Sequence, residues 1–174
     1  MDSSKKAKRY IIDTSALVRI FRFYPGQLLE PVWAKLEILF ESGILFSHRL
    51  VYDEITTGSK KQDILSEKVK PLKKYFLTLK YEQVKWVNKI IQTFPGLIDP
   101  NREKDQADPW LIALAIEENQ QLHLFDEPDQ IVIVSMESEE KQNRIPAVCK
   151  HFGIKHLNLD RFFEEIGISF EVRS

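Results

Sequence analysis

The sequence predicts an α/β fold: a mainly parallel sheet of four or five short strands, with helices on both faces, in one domain spanning residues 1–174. Three observations predict it. Short β-prone runs alternate with helix-length amphipathic segments along the whole chain, which is the pattern of βαβ units. The run Ile131-Val132-Ile133-Val134 is apolar at every position, as a strand covered on both faces should be. The carboxylates that stand out, Asp13, Glu54, Asp108 and Glu137, fall just after strands or on helices, and open α/β sheets build their sites at the carboxyl ends of the strands.

Each element follows from local signals. Arg9 to Asp13 (RYIID) reads as the first strand, and Thr14 to Phe23 as a helix ended by Pro25-Gly26. A second helix starts at Glu30 with Pro31 at its first position, where a missing N–H costs nothing. Val32, Leu36, Leu39 and Phe40 recur at helical spacing, and Gly43 closes it. Ile44 to Ser47 is a second strand. Arg49 to Thr57 is a third helix with Gly58 past its end. The middle of the chain predicts two helices. Pro71 interrupts the first, and the second carries Val84, Val87, Ile90, Ile91 and Phe94 on one face. Gly96 to Ala107 is a polar loop. Asp108-Pro109 opens a helix to about Asn119, with Asp108 as N-cap. After the Ile131–Val134 strand comes a helix, Ile145 to Phe152, ended by Gly153. Lys155 to Leu159 reads as an edge strand, and Asp160 caps a last helix that stops at Gly167. Residues 1–8 are expected to be a flexible tail and 58–95 a lysine-rich helical arm.

Composition narrows the function. Hydrophobic residues at 43% and charged residues at 29% describe an ordinary globule rather than a disordered chain. One cysteine, Cys149, rules out an internal disulfide and any zinc site built on several thiolates. The charged start, Met1 to Arg9, lacks a signal peptide's apolar core. Trp110 to Ile116 is the longest uncharged apolar run, far short of a membrane span. The expectation is a cytoplasmic protein with no membrane contact. Net charge is −1, but it is unevenly spread: residues 1–100 carry 17 Lys+Arg against 11 Asp+Glu, and residues 101–174 carry 8 against 15. Nine lysines against three acids in 58–93 can attract phosphates or simply form a solvated helical face.

The acids carry the chemistry. Asp13 ends the first strand, where it can also serve as a helix cap beside Thr14 and Ser15. Glu54 lies four residues after Leu50 and three after Val51, so a helix places it along the apolar stripe, whereas Asp53 points elsewhere. A carboxylate there is costly unless paired or bound to a cation. Asp108 can both cap its apolar helix and ligate, with Asp105 a weaker substitute. Glu137 stands two residues past Ser135, at the head of an acidic run with Glu139 and Glu140. Carboxylates gathered this closely repel one another, and cation binding is what lets such a cluster persist. An all-oxygen set favours Mg²⁺ or Mn²⁺ over zinc. The chemistry that uses such a site is metal-assisted phosphodiester hydrolysis. Other sites fit worse. The glycines, at 26, 43, 58, 96, 153 and 167, spell no phosphate-binding loop and no nucleophile elbow. The four histidines have no ligand spacing, and His151 and His156 read as surface residues.

On these residues the chain resembles a PIN domain, the nuclease fold used by VapC-type toxins. The similarity rests on IIDTSAL at 11–17, DEI at 53–55, ADPWLIALA at 107–115 and VSME at 134–137. More narrowly, the chain is similar to a PIN-like bacterial and archaeal family marked by the ADPWLIA helix and an IPxVC segment, here Ile145 to Cys149. The resemblance implies catalytic and metal-holding roles for Asp13, Glu54, Asp108 and Glu137, with Ser15 and Ser135 as hydroxyls beside the metal. It implies a Mg²⁺- or Mn²⁺-dependent endoribonuclease that cuts single-stranded RNA by water attack, leaving a 5′-phosphate and a 3′-hydroxyl. It also implies a toxin paired with an antitoxin protein, and a homodimer. Lys60, Lys61, Lys73, Lys74 and Lys85, near Tyr75, Tyr81 and Trp86, are the expected RNA contacts. Two alternatives stand beside this reading. One is a non-catalytic protein- or RNA-binding module whose carboxylates are helix caps, and the other is a DNA-directed nuclease.

Overall fold

A computed structural model describes residues 8–24, 28–57, 64–123 and 131–169. In chain order the elements are β1 (Arg9–Ile12), α1 (Thr14–Phe23), α2 (Leu29–Glu41), β2 (Leu45–His48), α3 (Arg49–Thr57), α4 (Ile64–Val69), β3 (Phe76–Leu77), α5 (Tyr81–Thr93), α6 (Ala107–His123), β4 (Ile131–Val134), α7 (Ile145–Phe152), β5 (Lys155–Leu157) and α8 (Leu159–Glu165). The five strands form one sheet in the order β3-β2-β1-β4-β5, parallel at every pairing. Among the described residues eight helices flank it, so the α/β architecture with a parallel sheet stands.

The register explains the strand sequences. β1 pairs with β4 along its full length, from Arg9 opposite Ile131 to Ile12 opposite Val134. All of β4 and Tyr10 to Ile12 of β1 are buried, and the all-apolar Ile131–Val134 run is the outcome. The apolar helix α6 has the same cause. It packs on β2 and β4 and is itself flanked by α3, α5 and α7, so Leu111 to Ala115 have no exposed surface. Each such Leu or Ile removed from water contributes roughly 1.5–3 kcal/mol. Cys149 is fully buried in α7, and that helix ends at Gly153, whose φ of 70° is a left-handed value that glycine adopts without strain.

Several expectations need correction. Of the stretch expected to be a lysine-rich arm, residues 58–63 lie outside the described residues, and the described part packs into the fold. Leu65, Val69, Leu72, Phe76, Val87 and Ile90 are buried in the core, and Phe76–Leu77 supplies an edge strand, β3, that two residues are too few to announce. Pro71 opens a 3₁₀ turn, Lys70–Tyr75, and so ends α4 after six residues. Helix α6 starts at Ala107, so Asp108 lies inside its first turn instead of capping it. The last helix is capped by Asn158, whose side chain accepts from the Arg161 N–H at 3.0 Å, and Asp160 lies in its first turn. Of the expected tail, residues 1–7 lie outside the described residues, whereas Lys8 pairs with Glu165 at 2.7 Å. No described helix is long and apolar enough to cross a membrane.

Candidate functional site

The strand order sets the place. From β1 the chain goes to β2 on one side, while β4 leads to β5 on the other. The connections after β1 and β4 therefore diverge and leave a crevice at the carboxyl ends of these neighbouring strands. Asp13 directly follows β1, and Ser135 directly follows β4. The Asp13 N–H donates to the Val134 carbonyl at 2.9 Å and ties the two strand ends together.

Asp13 is buried and caps α1. Its carboxylate accepts from the Ser15 N–H at 3.0 Å and from the Ser15 hydroxyl at 2.5 Å. The same hydroxyl accepts from the Met136 N–H at 2.9 Å, which joins the start of α1 to the segment after β4. Glu54, on α3, accepts from the Thr14 hydroxyl at 2.6 Å and from the Ala107 N–H, at the head of α6, at 3.2 Å. Glu137 accepts from the Ile145 N–H, the first of α7, at 2.7 Å, and pairs with Arg144 at 3.3 Å. Asp108 sits in the first turn of α6 and, among the described residues, its carboxylate takes part in no hydrogen bond. The four acids predicted from sequence all line one cleft of about 470 Å³.

Their charges act on one another. Burial pushes Asp13 up to about 6, with help from Glu137 and Glu54 and against the two Ser15 hydrogen bonds. Asp108 rises further, to about 8. Burial is the main cause, the charges of Asp13, Glu137 and Glu54 add to it, and Arg144 opposes it. The donor set suits a hard cation in kind, since it is all oxygen and one carboxylate is free of hydrogen bonds. It is not gathered around a point. Among the described residues no group of three or more His, Cys, Asp or Glu side chains is arranged to hold a metal ion. The geometry says why: Glu54 and Glu137 are turned to the amides at the heads of α6 and α7.

The remaining expected residues divide. Ser15 touches Asp13 directly. Ser135 is fully buried, its hydroxyl accepts from the Glu137 N–H at 3.4 Å, and it meets the His156 ring at 2.8 Å. Asp105 is exposed and lines a neighbouring cavity with Glu54. Lys60 and Lys61 lie outside the described residues. Lys73 stands 5.8 Å over Tyr52, Lys74 4.9 Å over Tyr75 and Lys85 5.6 Å over Trp86, and none of the three lines the acidic cleft.

Sequence reasoning missed two histidines and three arginines. His151 is exposed as expected, whereas His156 is half-buried, and burial lowers its pKa to about 4, against the pull of Glu139. His48 is fully buried and stacked on Trp110, with ring centroids 5.8 Å apart. Its Nδ1 accepts from the Leu50 N–H at 3.2 Å, and its buried Nε2 has no partner. Burial brings it also to about 4, and the nearby Gln83 amide and Asp53 oppose the shift. Arg19, Arg22 and Arg102 line the acidic cleft. On helix α1 the two arginines read as an ordinary wet face, and no spacing rule ties Arg102 to them.

The profile of a family described as "Domain of unknown function (DUF4411)" matches residues 10–170. No curated protein matches the chain.

Proposed function

The chain belongs to the DUF4411 family, and we propose that its acidic cleft is the centre of a divalent-metal-dependent phosphodiester hydrolase, an endoribonuclease acting on single-stranded RNA. The observation that carries this reading is Asp108. Asp13, Glu54 and Glu137 each have a structural task at a helix head, whereas the Asp108 carboxylate has no hydrogen bond among the described residues and meets the charge of the other three in one cleft. A carboxylate kept in that setting costs stability unless a cation relieves it. Asp13 and Asp108, with Glu54 and Glu137, would hold Mg²⁺ or Mn²⁺. Such an ion, when bound, makes water a nucleophile near neutral pH.

The chain's own residues do the rest. Ser15 fixes both the Asp13 carboxylate and the Met136 amide, so the two sides of the crevice keep their spacing. The Ser135 hydroxyl, bonded to the His156 ring, holds the Glu137 backbone at the cleft rim. Similarity to VapC-type toxins supports a toxin role with an antitoxin partner, a cytoplasmic site of action and a homodimer.

The test is cleavage of single-stranded RNA with Mn²⁺, and with EDTA, by wild type and by Asp13→Asn and Asp108→Asn. Cleavage that needs the metal and is abolished by either substitution is expected. Undiminished cleavage by Asp108→Asn would remove the mechanism. Growth arrest on expression, relieved by Asp13→Asn, is the matching test of the toxin role. A second reading, a non-catalytic binding module, draws on the helix-capping bonds of Glu54 and Glu137. Failure of the folded wild type to bind Mn²⁺ in a calorimetric titration would favour it.

A further inference from the structure

We infer that Arg19, Arg22 and Arg102 are the phosphate contacts of the cleft, and that a single RNA strand enters over α1 with a base against Phe23. The inference rests on the nuclease reading and names where its substrate lies. Arg19, Arg22 and Phe23 share the cleft wall with Asp13 and Asp108, and Arg102 faces them from the 98–106 segment. Arg102 and Glu54 also line two adjoining cavities, of about 850 and 310 Å³, so these openings continue one another.

The arginines stand beside four carboxylates without neutralising them. Among the described residues, none of the three has an ion pair or a side-chain hydrogen bond, and all three are exposed. Fork-shaped guanidinium groups suit phosphate oxygens, and ones without ion pairs need break none to take them. The Arg19 guanidinium carbon stands over Phe23, 3.3 Å from the ring centroid, and the ring is still 55% exposed. An exposed aromatic ring next to cations is the arrangement on which unpaired bases stack. A duplex has no free base for it. The acids alone would repel RNA, and cations on the wall let a polyanion approach a negative floor.

The experiment is fluorescence anisotropy of a 12-nucleotide single-stranded RNA on the full chain, in EDTA, between 50 and 300 mM NaCl, with Mn²⁺ binding measured in parallel by calorimetry. Arg19→Ala/Arg22→Ala is expected to bind about tenfold or more weaker. Its salt slope should fall by about 1.4, the share of two phosphates at roughly 0.7 each. Phe23→Ala should weaken binding about tenfold. Mn²⁺ binding should be unchanged in both. Lys35→Ala/Lys155→Ala removes the same charge away from the cleft and should stay within about twofold of wild type. Three results overturn the inference: an arginine variant as tight as wild type, an equal loss in the lysine variant, or tighter binding of duplex than of single strand. If the wild type binds neither Mn²⁺ nor RNA, the nuclease reading fails and this inference falls with it. If Mn²⁺ binding and its loss in Asp108→Asn persist while the arginines prove silent, the inference fails alone.

Discussion

At the scale of the residue, Asp108 is the group most out of balance. In the folded chain it keeps its proton up to about pH 8, against an ordinary value of 3.8. A carboxyl raised on folding supports the fold while it is protonated. That support fades as pH rises from about 4 towards 8, because the unfolded chain gives up its proton first. Asp13 follows the same sign over a shorter window, to about 6. Asp108→Asn keeps the neutral shape at every pH. In EDTA its melting temperature should therefore exceed that of wild type by a margin that widens between about pH 5 and pH 8, by several degrees for a domain of this size. A margin that stays flat across a differential scanning series would sink this account. All four acids were legible because each sits where a pattern singles it out: directly after a strand, on an apolar stripe, before a proline, or two residues past a strand's last serine. The arginines were not, because a cation on a wet helix face looks the same whether or not an acidic cleft lies beside it.

At the scale of the element, helix heads organise the site. α1, α6 and α7 all begin at the cleft, and amides in their first turns, those of Ser15, Ala107 and Ile145, are met by Asp13, Glu54 and Glu137. Positive helix ends offset part of the mutual repulsion of the acids. Caps were the least legible feature of the sequence. Asp160 and Asn158 are both good cap residues two positions apart, and only the geometry shows Asn158 accepting from the Arg161 N–H. Asn158→Ala should cost about 1 kcal/mol. Asp160→Ala should lose only the smaller helix-dipole effect of about 0.3–1 kcal/mol. Urea denaturation of both variants checks the order, and a reversed order would return the cap to Asp160. Strand β3 escaped notice for a different reason, since Phe76 and Leu77 follow lysines that point to helix or coil. By contrast α3, β4 and α7 lie where their sequences put them, because Gly, Pro and unbroken apolar runs mark their ends.

At the scale of the whole molecule, the long-range pairing of β1 with β4 joins residues more than a hundred apart and places Asp13 next to the segment that carries Glu137. The centre of the sheet is thus both the stability core and the foundation of the cleft. Ile133→Ala, at a fully buried position in β4, should cost about 2–5 kcal/mol. On the proposed nuclease reading it should lower RNA cleavage only in proportion to the unfolded fraction, and a fully folded variant without activity would argue for a more direct role. The charge asymmetry along the chain also finds its meaning here. Basic residues of the first half meet acids of the second, in Lys8–Glu165, Arg9–Glu118 and Lys80–Glu117. The polarity seen in the sequence is partly consumed inside one molecule, with each exposed pair worth little on its own.

Cys149 gives the molecule a built-in clock. The chain's one thiol has no exposed surface, and burial holds its pKa far above the ordinary range, so the reactive thiolate is scarce in the native state. A chromogenic disulfide reagent should therefore be consumed only as fast as α7 and the sheet beneath it open. A cysteine introduced at Arg22, on the wet rim, would be modified at once, so a dye could be seated there while the native sulfur stays dark.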